Sequence, residues 1–212
     1  MNASDSRPQR SPLHGFLAPD SIAIIGASAD PTKRGYKAIV GLIKDGFPGK
    51  IYPVNPKTDM ILGVRTCASV ADLPYGVDLA LICTPAATLP DLLAECGKRG
   101  VKGAVILASG FRETGAEGAQ LEQQVLAAAR AGDVRIIGPN TSGMFNLHKK
   151  VNLLALANVQ PGGIGFISQS GNMLLALVLE AENNGNVGFS TYVGPGNQTD
   201  IGFNDYLRYL GE

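Results

Sequence analysis

The sequence predicts an α/β protein whose main unit is an open, doubly wound, mostly parallel sheet. Short apolar segments alternate with helical segments, as is usual when parallel strands are connected by helices. The segment VDLALIC at residues 77–83 is apolar almost throughout, which is typical of a parallel strand covered on both faces. Five strands are predicted, over residues 21–26, 50–54, 77–83, 103–109 and 134–140.

Helical segments are predicted between these strands. In the first of them Tyr36, Ile39 and Ile43 recur at helical spacing, and Gly46 stands just past the end. The second contains Pro90, which marks a first helical turn, and the third is rich in Ala, Leu, Gln and Glu. The three segments cover residues 34–46, 86–100 and 117–132.

A second α/β unit is predicted near the end of the chain. The alternation stops after residue 140, and Pro161-Gly162-Gly163 punctuates the chain before strand and helix patterns resume. Only two further strands are predicted, and two strands cannot form a stable parallel layer alone, so this unit is expected to be truncated. The predicted organisation is a flexible N-terminal tail at 1–15, a first domain at 16–145, a linker at 146–162 and a second domain at 163–212.

Composition excludes several classes of partner. The 212 residues are 45% hydrophobic and 17% charged with a formal net charge of zero, so charge favours neither a nucleic acid nor a membrane. No apolar run approaches the roughly 20 residues of a membrane span, and the polar first residues do not resemble a signal peptide. We therefore expect a cytoplasmic protein. Cys67, Cys83 and Cys96 form no CxxC pair and are interpreted as buried hydrophobic residues, and no metal site is predicted.

Small, polar or Gly/Pro-rich residues follow every strand of the first domain. The carboxyl ends of parallel strands share one edge of the sheet, and ligands of open α/β sheets bind there. These loops would therefore present backbone N–H groups and hydroxyls to one ligand. They are Gly26-Ala27-Ser28, Asn55-Pro56-Lys57, Thr84-Pro85, Ser109-Gly110-Phe111 and Gly138-Pro139-Asn140.

The first of these loops predicts a site for a phosphorylated ligand other than NAD. Gly26-Ala27-Ser28 replaces the G-x-G of the dinucleotide fingerprint, and the next glycine, Gly35, comes late. The second strand runs into Asn55-Pro56-Lys57 with no acid at its tip, and Lys57 stands where an NAD site would need a carboxylate for the ribose. Lys33 and Arg34 add positive charge beside a predicted helix N-terminus, which itself favours anions. Coenzyme A or NADP fits this pattern better than NAD.

Several motifs in the same order resemble the CoA-binding domain of the NDP-forming acyl-CoA synthetases. This family includes ADP-forming acetyl-CoA synthetase and is related to the α subunit of succinyl-CoA synthetase. The resemblance covers about residues 16–212 and implies a Rossmann-like CoA-binding domain followed by the start of a flavodoxin-like domain. It rests on the segments 21–57, 77–86, 100–111 and 135–146.

The resemblance also implies roles for the strand-end loops. Residues Gly26, Ala27 and Ser28 would receive the pyrophosphate region of coenzyme A, together with the turn that follows them. Lys57 would contact a phosphate of the same molecule. The pantetheine arm would run towards its thiol along Thr84, Pro85, Ser109, Gly110, Phe111 and Asn140.

A second phosphate site is implied where the second domain begins. The segment ISQSGN matches the loop and helix start that receive phosphate from a phosphohistidine in the family. Exposed N–H groups, two hydroxyls and the positive end of a helix dipole suit that role, although an ordinary capped helix has the same features. The residues are Ser168, Gln169, Ser170, Gly171 and Asn172.

The implied reaction converts a carboxylic acid, CoA and ATP into acyl-CoA, ADP and phosphate through an acyl phosphate and a phosphohistidine. The only histidines, His14 and His148, do not match the phosphohistidine context, and no nucleotide-grasp segment is found. We therefore expect no catalytic residue here, and no activity without the rest of the synthetase. The rest of the synthetase, in the same gene or a separate subunit, would bind ATP or ADP and Mg²⁺, and would make the protein a homo- or hetero-oligomer.

Thr141 departs from the family pattern, because relatives often carry Cys after the GPN segment.

Two other functions remain open on the sequence. A non-enzymatic CoA-binding regulatory module would carry the same loops. An NAD(P)-binding redox protein is disfavoured by the missing acid after the second strand and by the absence of a catalytic constellation.

Overall fold

The computed structural model describes residues 13–185 and 187–211. Its helices are α1 His14–Leu17, α2 Arg34–Lys44, α3 Leu89–Lys98, α4 Ala116–Ala131, α5 Gly171–Asn184 and α6 Phe203–Gly211. Its strands are β1 Ser21–Ile25, β2 Lys50–Val54, β3 Met60–Ile61, β4 Val64–Arg65, β5 Leu79–Ile82, β6 Gly103–Ile106, β7 Arg135–Ile137, β8 Met144–Asn146, β9 Val151–Asn152, β10 Pro161–Ile167 and β11 Phe189–Val193.

The first sheet confirms the predicted doubly wound fold. Its five strands are all parallel and lie in the order β2-β1-β5-β6-β7. Strands β5 and β6 are buried along their whole length, as the unbroken apolar pattern predicts. Helices α2, α3 and α4 connect the strands, and Pro90 stands in the first turn of α3.

The chain is packed from residue 13, before the predicted start of the first domain. Residues 1–12 lie outside the described residues. The prediction of a flexible tail is wrong for residues 13–15, because Leu13, Phe16 and Leu17 recur at helical spacing and are buried. The ring of Phe16 packs against Gly103 of β6, and a Cβ at position 103 would lie 2.4 Å from Cζ of Phe16.

The segment predicted to be a linker supplies strands to the second sheet. This sheet has four strands in the order β10-β11-β8-β9, with β10 and β11 parallel and the other pairs antiparallel. Strand β9 and the end of β8 lie within residues 146–162, so the expectation of an irregular linker is wrong there. These strands are too short for a periodic pattern, but Phe145 and Val151 are buried and tie them to the core.

One hydrophobic core continues from the first sheet to the second. On one face of the first sheet, Ile22 and Ile24 of β1 pack in the same cluster as Ile39 of α2. That cluster also contains Val193 of β11 and Tyr206 of α6. The second unit is therefore supported by the first domain. A separate cluster fills the other face, beneath α3 and α4.

Within the described ranges, no helix combines the length and apolar character needed to cross a membrane. The same residues contain no group of three or more His, Cys, Asp or Glu side chains arranged to hold a metal ion. Burial raises the pKa of Cys83 and of Cys96 to about 12, so both thiols stay protonated at neutral pH. Cys96 is buried, as interpreted, but Cys67 and Cys83 are only half-buried, so the interpretation of all three cysteines as buried residues is wrong for these two.

Candidate functional site

The order of the first sheet places a crevice between the ends of β1 and β5. The strand that follows β1 in the chain, β2, lies on one side of it, and β5, β6 and β7 lie on the other. The strand order therefore reverses at β1, and ligands of open α/β sheets bind at such a switch point. Gly26 has a φ of +81°, and a Cβ there would lie 3.0 Å from Cγ2 of Thr84. The first and third strand-end loops of the prediction therefore meet at this point.

A cleft of about 400 Å³ opens at the switch point. It combines the turn after β1 with two exposed basic residues at the start of α2, and the backbone of the helix N-terminus adds a positive dipole end. Among the described residues, no side chain caps the N-terminus of α2, whose cap residue is Lys33. The lining residues are Gly26, Ser28, Lys33, Arg34, Gly35 and Cys83.

The loop between Ser28 and α2 is held by its own hydrogen bonds. The hydroxyl of Ser28 accepts one of 3.1 Å from the N–H of Asp30, and the Asp30 carboxylate accepts one of 2.9 Å from the N–H of Thr32. The bonds from the backbone and the hydroxyl of Thr32 lower the pKa of Asp30. The loop is therefore shaped before any ligand arrives, and the Asp30 carboxylate is engaged within it.

Gly35 lets α2 approach the end of β1. A Cβ on Gly35 would lie 2.5 Å from the carbonyl oxygen of Gly26 and 2.9 Å from Cα of Ala27. The third glycine of a dinucleotide fingerprint performs this packing role in related folds. Gly35 comes late for the fingerprint, but its place in the first turn of the helix after β1 is the sequence signal for this packing role.

A second cavity of about 250 Å³ lies at the ends of β1, β2 and β5. The side chain of Asn55 donates a bond of 2.7 Å to the carbonyl oxygen of Ala27 and accepts one of 2.7 Å from the N–H of Lys57. Asn55 therefore ties two strand-end loops together. Lys57 is exposed and follows Pro56, which lines the cavity. Lining residues that the sequence analysis missed include Ser69, Val70, Leu92 and Glu95.

The loops after β6 and β7 reach the same edge, with one correction. The side chain of Phe111 is 0% exposed and packs in the core beneath α4, so it cannot line a ligand route as predicted. Its ring is large and apolar, and burying it outweighs the loop-like character of its neighbours. Ser109 and Asn140 are exposed, and Asn140 adopts a φ of +57°.

Helix α5 begins with the predicted arrangement of serines. The hydroxyl of Ser170 accepts a hydrogen bond of 3.3 Å from the N–H of Met173 and caps the helix. The hydroxyl of Ser168 accepts one of 3.1 Å from the N–H of Ser170. Gln169 and Asn172 are exposed. Helix α5 therefore has an ordinary serine N-cap, and the side chains of Gln169, Ser170 and Asn172 are exposed to solvent.

Ser142 connects the two predicted phosphate sites. A guanidinium nitrogen of Arg34 lies 3.5 Å from the carbonyl oxygen of Ser142. The hydroxyl of Ser142 lies 2.7 Å from that of Tyr192, and a Cβ on Gly171 would lie 3.2 Å from Cβ of Ser142. Neither Ser142 nor Tyr192 belongs to a local motif, so no sequence signal predicts their role.

Neither histidine lies at the start of α5. The ring nitrogen Nε2 of His148 lies 2.9 Å from the carbonyl oxygen of Gly162, near the beginning of β10. Ser168 follows the other end of that strand, about 20 Å away at the rise of a parallel strand. His14 lies in α1, where its ring faces that of Tyr209.

Comparison with known proteins decides the family. A family model described as the CoA binding domain matches residues 20–146. The chain belongs to the CoA-binding domain family. A second model, described as the succinyl-CoA ligase like flavodoxin domain, matches residues 161–212. Both parts of the resemblance drawn from the sequence are thus confirmed.

Curated members of the family with high similarity are ADP-forming ligases. The acetate–CoA ligase (ADP-forming) of Methanocaldococcus jannaschii is 47% identical over 194 residues, which are 91% of this chain and 27% of the relative. The α subunit of acetate–CoA ligase (ADP-forming) II of Pyrococcus furiosus is 40% identical over 200 residues, 94% of this chain and 43% of the relative. The chain therefore spans less than half the length of these relatives.

A solved structure supports the same placement of the CoA-binding domain. The dinucleotide-forming acetyl-coenzyme A synthetase 1 of Ca. Korarchaeum cryptofilum superposes with a TM-score of 0.89 at 35% identity. The match covers 94% of this chain and 43% of that structure. The similarity extends over both sheets, so the arrangement of the two parts is shared with an acyl-CoA synthetase.

Proposed function

We propose that this chain binds coenzyme A and forms the CoA-binding part of an ADP-forming acyl-CoA synthetase. The observation that carries the proposal is the cleft between β1 and β5, where the Gly26–Ser28 turn meets Lys33 and Arg34 in a member of the CoA-binding domain family. The overall reaction would convert a carboxylic acid, CoA and ATP into acyl-CoA, ADP and phosphate.

Each part of coenzyme A has a candidate partner in the first domain. The turn at 26–28 and the N-terminus of α2 suit the pyrophosphate, since N–H groups and a helix dipole favour anions. Lys57 suits a further phosphate from its exposed position beside the second cavity. The pantetheine arm would pass Thr84, Pro85, Ser109 and Gly110 and end near Asn140.

A nicotinamide cofactor fits this site less well. An NAD site uses a carboxylate at the end of the second strand to bind the ribose hydroxyls. Here Lys57 stands in place of that carboxylate, and the side-chain amide of Asn55 before it is already bonded to Ala27 and to the backbone of Lys57. The cation at Lys57 favours a phosphate instead.

The start of α5 would receive phosphate or an acyl phosphate. Ser168 and Ser170 supply hydroxyls there, and Gln169, Gly171 and Asn172 complete the loop. In the last step of the synthetase reaction, the CoA thiolate attacks the acyl carbon of the acyl phosphate. A carbon–sulfur bond forms, the carbon–oxygen bond to phosphate breaks, and phosphate leaves with the electrons of that bond. The two ligands must therefore meet, and Ser142 touches both candidate sites.

The remaining partners would come from the rest of the synthetase. ATP or ADP and Mg²⁺ would bind to segments corresponding to parts of the relatives that this chain does not match. A cytoplasmic location and a homo- or hetero-oligomeric assembly belong to the same proposal. The position of His148, far from α5, means that a phosphohistidine would also have to come from those segments.

Calorimetric titration tests the CoA site. Coenzyme A, NADPH and NAD are titrated separately into the 212-residue chain at low ionic strength. We expect CoA to bind more tightly than either nicotinamide nucleotide. Tighter binding of NADPH or NAD than of CoA would refute the proposal.

A further inference from the structure

A loop of the second part of the chain lies on the strand-end loops of the first domain. The N–H of Asn197 donates a hydrogen bond of 2.9 Å to the carbonyl oxygen of Pro139, and the N–H of Thr199 donates one of 3.2 Å to that of Gly138. Gly196 also lies against Pro139 so closely that a side chain would not fit. The loop after β11 therefore contacts the loop that carries Asn140.

Two carboxylates fix the orientation of the Asn197 side chain. Its amide nitrogen donates hydrogen bonds of 2.9 Å to Glu113 and of 2.9 Å to Glu122. Ionised carboxylates only accept hydrogen bonds, so the –NH₂ group of Asn197 has to face them. The carbonyl oxygen Oδ1 of Asn197 then faces Asn140, whose amide nitrogen Nδ2 lies 3.4 Å from it.

The orientation passes on to Asn140. Since Asn197 presents an oxygen, Asn140 has to present its –NH₂ group, and its own Oδ1 is the atom left for a ligand. We infer that Asn197 is a positioning residue that holds the Asn140 carboxamide as an acceptor for the pantetheine arm of coenzyme A. This inference rests on the proposed CoA site. Pantetheine carries amide N–H groups and a thiol, and all of them can donate to such an acceptor.

The carboxylates are themselves held in place by the first domain. Glu122 is 2% exposed, and besides Asn197 it accepts hydrogen bonds from the hydroxyl of Thr199 and from the N–H of Arg112. Glu113 accepts bonds of 2.7 Å and 3.1 Å from the N–H groups of Gly110 and Phe111. The network therefore joins the loops after β6 and β7 to the second part of the chain.

The phosphates and the pantetheine arm can be separated by experiment. Coenzyme A and adenosine 3′,5′-bisphosphate, which lacks the pantetheine arm, are titrated into the wild-type chain, Asn197→Ala and Thr199→Val. We expect Asn197→Ala to weaken CoA binding by about five- to tenfold, the effect of one misplaced hydrogen bond, and to change bisphosphate binding by less than about twofold. Thr199→Val removes a bond to Glu122 from the same loop but leaves the amide chain intact, so both affinities should stay near the wild-type values.

Three outcomes overturn the inference. Asn197→Ala could leave CoA binding unchanged, it could weaken both ligands equally, or Thr199→Val could reproduce its effect; the last two would indicate general loosening of the loop. If Asn197→Ala does not fold, Asn140→Ala is titrated with the same two ligands. It should weaken CoA binding and leave bisphosphate binding within about twofold of wild type, and equal losses for the two ligands would refute the acceptor role. A wild-type chain that binds neither ligand would refute the proposed CoA site, and the inference with it.

Discussion

The carboxylate of Asp200 lies 2.7 Å from Nε of Arg135 and joins the two parts of the chain. The same oxygen accepts a hydrogen bond of 2.9 Å from the N–H of Ile136. Arg135 and Ile136 begin β7, whereas Asp200 belongs to the loop after β11. The Asp200 side chain is 12% exposed, so water screens this ion pair only partly.

Replacing Asp200 by Ala is expected to lower the free energy of unfolding by about 2–3 kcal/mol. The change leaves the buried N–H of Ile136 and the Arg135 guanidinium without their acceptor, and bonds to charged groups contribute this much. Urea denaturation followed by circular dichroism measures the difference. Asp59→Ala, at an exposed carboxylate before β3, is the control and should stay within about 0.5 kcal/mol of wild type. Equal effects of the two changes would contradict the role given to Asp200.

Replacing Gly35 by Ala is expected to destabilise the protein by about 1–3 kcal/mol and to weaken CoA binding. The added methyl group would overlap the carbonyl oxygen of Gly26 and push α2 away from β1. Gly15→Ala is the matched control, because no atom of the described residues lies within 4 Å of a Cβ at that position. Thermal unfolding and calorimetry measure the two properties. A Gly35→Ala variant as stable as Gly15→Ala would show that the close approach does not constrain the helix.

Replacing Lys57 by Ala is expected to weaken CoA binding by about five- to tenfold at low salt, as for a lost bond to a charged group. The difference should shrink between about 0.01 M and about 1 M ionic strength, where the Debye length falls from about 30 Å to about 3 Å. Lys102→Ala is the control, since Lys102 is exposed immediately before β6, at the opposite edge of the same sheet. If Lys57→Ala binds CoA like the wild-type chain at low salt, Lys57 is not part of the site.

Acid should weaken the fold partly through Glu113. Burial alone raises the pKa of Glu113, but hydrogen bonds from Asn197 and from the N–H groups of Phe111 and Gly110 outweigh it and lower the pKa from 4.5 to about 2. A lowered pKa in the folded state means that this stabilisation is present above pH 4.5 and is lost as the pH falls towards 2. Glu113→Gln should therefore lose less stability than wild type between neutral pH and about pH 3. Glu117→Gln, at an exposed position of α4, should follow wild type, and an unchanged slope in Glu113→Gln would contradict the assignment.

Hydrogen exchange should distinguish the edge strand β10 from the central strands of both sheets. Strand β10 pairs only with β11, whereas β11 lies between two strands, and the leucines Leu175 and Leu179 of α5 are exposed. We expect slow exchange in β1, β5 and β11 at all protein concentrations. Protection of β10 and α5 should rise with concentration, because association would cover the apolar face and the open edge. Equal protection of β10 at low and high concentration, in a chain that sediments as a monomer, would contradict this expectation.

The parts of the fold that the sequence predicts are those with a strong local pattern. Strands β5 and β6 are continuous apolar runs, and α2 repeats its apolar residues at helical spacing, so each signal lies within one segment. Strands β8 and β9 have three and two residues and therefore no period to recognise. Phe111 follows Ser109-Gly110 and resembles a loop residue, and only tertiary packing buries its ring.

The site divides in the same way. The loop residues of the first domain could be predicted, because parallel strands bring their carboxyl ends to one edge. Asn197 and Tyr192 could not, since Asn197 reaches Asn140 across 57 residues of chain and Tyr192 reaches Ser142 across 50. Glu122 lies in α4, a helix rich in Ala, Leu, Gln and Glu. Glutamates are common on the exposed face of such a helix, so no local pattern shows that the Glu122 carboxylate is buried.

The path of the chain between the two family segments limits how such proteins can be recombined. Strand β8 ends at Asn146, where the CoA-binding match also ends, yet it pairs with β11 of the following segment. The rings of Phe145 and Tyr192, one from each segment, pack with centroids 5.7 Å apart. A genetic exchange with its crossover in this region would combine half of a sheet from one parent with half from the other. Hybrids should survive only when both parents conserve this aromatic contact, so the two segments are expected to be inherited together.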